Sequence, residues 1–168
     1  MADAGSDAAT QLAHAQLAHA NDLYRAKKYP EAEAACRDIL HRDPCHGGAW
    51  ERLAHIATST ERPLEAVAFY EEAIRHLAHP AEAHNNLAVA LHQRGDLQAA
   101  LEHYRRAIAL GLSHGLLHSN FGCLLRDLGH LEDAVGQLRR ALEIDPLLAH
   151  AHSNLGVVFC LQARADLA

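Results

Sequence analysis

The chain has 168 residues, 49% of them apolar but only 5% aromatic, so alanine and leucine must fill its core. A formal charge of −6 with neutral histidine argues against a nucleic-acid partner. No apolar run approaches the roughly 18 residues of a membrane span, and the acidic opening MADAGSD lacks the basic-then-apolar order of a secretory leader; no membrane partner and a cytoplasmic location are expected.

Residues 1–6 are expected to be disordered, and 7–168 to form a single array of helices. From Ala8 the stretch AATQLAHAQLAHANDLYRAKK is strongly helix-forming, with Ser6 or Asp7 able to cap it. A first repeat reads as 13–46. It is degenerate in its first helix, where His19 stands in the place of Leu53 and Leu87. Its second helix opens on Pro30, which suits a first turn, and stops at Asp43-Pro44. Cys36 falls where later repeats carry Tyr70 and Tyr104, so it reads as a small core residue. Cys36, Cys45, Cys123 and Cys160 form no CxxC pair and are expected to be reduced thiols.

The second repeat, 47–80, is irregular. Ala57 replaces a large residue, and Thr58-Ser-Thr-Glu-Arg-Pro63 replaces the Gly-Asp turn of the next repeat. The third, 81–114, is the most regular. His84, Leu87, Ala88 and Leu91 make one helical stripe, Gly95-Asp96 breaks it, and Leu97, Ala100, Leu101, Tyr104, Ala107 and Ile108 make a second. The fourth repeat is 115–148, and a partial fifth covers 149–168. Ala32, Ala66, Ala100 and Ala134 fall in register at a period of 34 residues. So do Leu53-Ala54, Leu87-Ala88, Phe121-Gly122 and Leu155-Gly156. A fixed period in this range is the signature of a solenoid. Small residues let paired helices approach closely, and neither stripe can be buried alone, so neighbouring repeats must stack.

Trp50-x2-Leu53-Ala54, Asn86-Leu87-Ala88, Ala100-x3-Tyr104-x2-Ala107 and Ala134-x3-Leu138-x2-Ala141-x4-Pro146 resemble the tetratricopeptide repeat pattern. The resemblance implies an all-α, right-handed superhelical solenoid of antiparallel helix pairs that binds protein.

Asn86, Asn120 and Asn154 recur at 34-residue spacing, each just before the Leu or Phe of its repeat and each after a polar neighbour, Asn85, Ser119 or Ser153. Beside the packed stripe, such a column should face the inner wall of the superhelix. Asparagine offers both donor and acceptor, so it can pair with the N–H and C=O of an extended polypeptide without reading its side chains. First helices about 10 Å apart, against about 3.3 Å per extended residue, would hold roughly every third residue. The competing reading is that each asparagine bridges helices locally. Val89, Cys123 and Val157 form a second groove-facing column. Arg52 and Ala18 replace the asparagine in the first two repeats.

The asparagine column, with AHSNLGVVF, AEAHNNLAVAL and ALEHYRRAIAL, is similar to the repeat domain of the O-linked N-acetylglucosamine transferases. That resemblance implies that Asn86, Asn120 and Asn154 hold acceptor-protein backbone, and that the chain is a non-catalytic, substrate-recruiting region of such an enzyme. The alternative is a free-standing scaffold that assembles a complex, or self-associates as a homodimer through a C-terminal helix whose Leu155, Val158 and Phe159 would be uncovered. A carboxylate clamp needs recurring cations, and Arg25, Arg52 and Arg126 do not recur together. His84, His118 and His152 take the packing position of Trp50, too far apart to share a metal, and no nucleophile arrangement or phosphate loop appears. No catalytic residue, metal or cofactor is expected.

Overall fold

The structure, a computed structural model, describes the backbone of residues 4–165 and the side chains of 11–164. The described residues form only helices: α1 (Ala4–Arg25), α2 (Tyr29–Arg42), α3 (Gly47–Ser59), α4 (Pro63–His76), α5 (Ala81–Arg94), α6 (Leu97–Ala109), α7 (Gly115–Asp127), α8 (Leu131–Ile144) and α9 (Ala149–Ala165). The disorder expected over 1–6 falls partly on residues 1–3, which lie outside the described residues; α1 begins at Ala4. The fold is all-α, built of antiparallel helix pairs.

Two compact units can be separated, 1–83 and 84–168. In the first, α1 to α4 close on Ala20, Ala32, Cys36, Ile39, Leu53 and Ile56. Cys36 is fully buried, and removal from water pushes its thiol up to about 11. In the second, Leu117, Leu124, Leu138 and Val158 are buried, and the Tyr104 ring stacks on Phe121 with centroids 5.4 Å apart. Gly122 lies against α8, where a Cβ would come within 2.7 Å of Leu138 Cγ.

The turn inside each helix pair follows the same rule four times. Lys27, Glu61, Gly95 and Gly129, 34 residues apart, all take positive φ, at 57°, 56°, 91° and 80°. The residue after each donates its N–H across the turn: Lys28 to Leu23, Arg62 to Ala57, Asp96 to Leu91 and His130 to Leu125, at 2.8–2.9 Å. This is the closure that a left-handed residue after a helix makes possible. The second repeat therefore keeps the turn that its sequence, lacking Gly-Asp, argues against. Arg62 anchors it, with Nε donating to Thr60 Oγ1 and its terminal nitrogens paired to Glu65 and, at 2.7 Å, to Glu33 of α2.

One slot at the facing surfaces of each pair carries different chemistry in successive repeats. Trp50 meets Phe69, ring centroids 5.9 Å apart. Thirty-four residues on, His84 Nδ1 lies 2.9 Å from His103 Nδ1, and 34 further His118 Nδ1 lies 2.8 Å from Gln137 Oε1. His84 and His118 are buried in this slot, whereas His152 is exposed and meets the Pro146 carbonyl.

Candidate functional site

In the second unit α5, α7 and α9 are the first helices of their repeats and carry the asparagine column. Hydrogen bonds tie them in series. His92 Nε2 on α5 lies 2.8 Å from Asp127 Oδ2 on α7, and Asp127 Oδ1 accepts from Arg126 Nε and NH2 at 2.8 and 2.7 Å. Arg126 NH1 then donates to Asn154 Oδ1 on α9 at 3.1 Å. Burial raises the Asp127 carboxyl, but the bonds from His92 and Arg126 outweigh it and hold the group below the usual carboxylate range. Asp127 is therefore an anion at neutral pH that fixes the plane of the Arg126 guanidinium. Sequence reasoning missed this series, since its residues share no repeat register.

The three asparagines have different environments. Asn120 is partly exposed, and among the described residues its amide has no hydrogen-bond partner. Asn86 is also partly exposed, and its Oδ1 accepts from Asn85 Nδ2 at 3.2 Å. Asn154 is only 8% exposed, with Oδ1 held by Arg126 and Nδ2 buried without a partner. The column thus holds one amide with no bond, one with a local bond and one turned inward.

Their neighbours also divide. Asn85 is buried, with an unpartnered Oδ1, and Ser119 is fully buried with its hydroxyl 3.2 Å from His150 Nδ1 on α9. Both sit between helices, too deep to line an open groove; Ser153 alone of the three is exposed. Val89 is partly buried, Cys123 is buried and Val157 is exposed. Desolvation pushes the Cys123 thiol up, against the opposing pull of Arg126. It is a packing thiol, not a nucleophile.

On α9 the expected apolar face needs one correction. Val158 is fully buried, because Ala151, Asn154 and Val158 share the stripe that faces the fold. A residue on that stripe cannot meet a second chain. Leu155 is partly buried, while Val157, Phe159 and Leu161 are exposed at 44%, 45% and 38%.

The first unit carries Arg52 in the column position. Its Nε donates to Asn21 Oδ1 at 2.6 Å, NH1 lies 3.3 Å from His55 Nδ1, and the guanidinium lies 4.6 Å above the centre of the Tyr24 ring. Burial, reinforced by the charge on Arg52, lowers His55 to about 4, so it is neutral at pH 7. Among the described residues no helix is long and apolar enough to cross a membrane.

Tetratricopeptide-repeat family models match residues 17–78, 81–111 and 122–162. The chain is built of tetratricopeptide repeats. Its fold is similar to that of YrrB, described as a TPR protein with an unusual peptide-binding site, at 24% identity over 97% of this chain and 86% of that one, TM-score 0.80. It is similar also to MamA, at 19% identity over 92% and 84%, TM-score 0.82. The first TPR of Spaghetti (RPAP3), bound to an HSP90 peptide, matches at 20% identity over 70% and 95%, TM-score 0.66.

Proposed function

We propose that this tetratricopeptide-repeat chain is a protein–protein interaction module that binds extended polypeptide across α5, α7 and α9, with Asn120 as the central contact. The observation that carries this reading is the Asn120 amide, partly exposed at the middle of a 34-residue column and without a bond of its own. A half-buried amide keeps its affinity for a partner that can supply both a donor and an acceptor, which is what a polypeptide backbone offers. That structurally similar proteins are described with bound peptide or a peptide-binding site supports the same reading.

The test selects extended peptides from an unbiased display library and measures their affinity by fluorescence anisotropy. Asn120→Ala is expected to weaken binding about fivefold, the worth of one net hydrogen bond near 1 kcal/mol, with thermal melting unchanged. Selected peptides that bind the variant as tightly as the parent would overturn the reading. Its finer form is recruitment of acceptor proteins to an O-linked glycosyltransferase, supported by the similarity of the repeats. In that form the selected peptides are enriched in Ser and Thr, and a library without that enrichment counts against it.

The exposed Val157, Phe159 and Leu161 favour a second reading, a scaffold that self-associates through α9. Phe159→Glu should then convert dimer to monomer in concentration-dependent light scattering, and a parent chain that is monomeric throughout excludes it.

A further inference from the structure

Asn154 occupies a column position, yet its amide is turned into the protein. The turn is incomplete in energetic terms. Oδ1 has a partner in Arg126 NH1 at 3.1 Å, while Nδ2 is buried with none. A buried donor without an acceptor is costly, whereas the same amide facing a polypeptide backbone would be satisfied at both ends. What keeps it inward is the guanidinium. Arg126 is oriented by two bonds to Asp127, and Asp127 is held in turn by His92 on α5. Arg126 is itself partly exposed, with 23% of its side chain open to water, so it stands between Asn154 and solvent and is not packed in the core.

We propose that Arg126 is a latch that sets the length of polypeptide the chain holds: with the latch closed, the asparagine column works through Asn120 and stops short of α9. The proposal rests on the polypeptide-binding reading and deepens it. Asp127 and His92 are positioning residues, acting on Asn154 only through Arg126. Releasing the latch adds a contact one repeat further along, about 10 Å, which corresponds to about three extended residues.

The test uses the full chain and a ladder of uncharged peptides, built from Ala, Ser, Thr and Val, so that loss of the Arg126 charge does not itself change affinity. In the parent chain affinity should stop rising at a given peptide length. In Arg126→Met, which keeps an apolar stem in place of the guanidinium, it should go on rising for about three more residues and end roughly fivefold tighter, again the worth of one hydrogen bond. The double variant Arg126→Met with Asn154→Ala should return to the parental length limit, a coupling that a purely structural role would not produce. Asp127→Asn should give an intermediate gain.

An unchanged length limit in Arg126→Met, with Asn120→Ala still weakening binding, overturns the latch and leaves the polypeptide reading in place. If the parent chain binds no peptide, that reading fails, and the latch is decided by hydrogen exchange of the Asn154 side-chain amide. Exchange at least tenfold faster in Arg126→Met supports it, and equal exchange overturns it. Circular dichroism shows whether each variant is folded.

Discussion

The first unit holds its helix turns with side chains, and the second holds them with glycine. Lys27 and Glu61 are forced into the left-handed region that Gly95 and Gly129 enter freely, yet all four close the same backbone bond. The first unit compensates with polar contacts, chiefly Arg62 bridging Glu33 and Glu65 at the Glu61 turn. The Arg62 bond overrides burial and holds the Glu33 carboxyl below its ordinary value. The column positions show the same division. Arg52 in the first unit is stacked and bonded into a cluster with Asn21, Tyr24 and His55, whereas Asn120 in the second is left without a bond. A common backbone plan can therefore be met by local conformational freedom or by imported charge. The second route ties stability to pH.

Acid should separate the two units most strongly. The folded-state value of His55 lies below its free value, so the stability that depends on its neutral form is fully present above about pH 6.5 and is lost as pH falls toward 4. A shift from 6.5 to about 4 corresponds to about 3 kcal/mol. Trp50, the single tryptophan, lies in the first unit and reports its unfolding by fluorescence. Urea midpoints read from Trp50 should drop steeply between pH 6.5 and 4, and His55→Gln should flatten the drop. An equally steep drop in the variant would assign the acid sensitivity elsewhere.

A smaller effect is expected from adding a methyl group to the second unit. Gly122→Ala drives a Cβ to within 2.7 Å of Leu138 Cγ, an overpacking that costs about 2 kcal/mol. Gly156, one repeat on, has open space around it, so Gly156→Ala should gain about 0.5 kcal/mol from helix propensity. Thermal melts of the two variants should move in opposite directions. Melts moving together would show that Leu138 can give way.

The turns themselves should show the smallest difference. Gly95→Ala places a Cβ at φ 91° and should cost about 1 kcal/mol. Glu61→Gly relieves the same kind of strain but adds freedom to the unfolded chain, leaving a net gain of a few tenths of a kcal/mol. Chemical denaturation of both reads the sign, and a loss on Glu61→Gly would mean that the side chain contributes more than its backbone costs.

The helix pairs were legible in the sequence because a 34-residue period and a small-residue column depend only on the chain's own register. The turn at Glu61 was obscured for the opposite reason. Nothing in Thr58-Ser-Thr-Glu-Arg-Pro63 favours positive φ locally; the closure is imposed by packing and by Arg62 reaching back to α2. Val158 could have been placed inward from the spacing of Ala151, Asn154 and Val158, had helical period been weighed above apolar content. The separate environments of Asn86, Asn120 and Asn154 could not. They follow from what faces each amide on another helix: for Asn154 that partner is Arg126, which lies 28 residues before it and outside the repeat register.

Helices α3, α5, α7 and α9 start at 47, 81, 115 and 149, with no drift in the count. A segment of 34 residues excised or copied at these starts would leave every remaining side chain in its own phase of the helix. To recombination such a chain is a string of interchangeable cassettes, and its reach can change by whole repeats without a new core having to be selected.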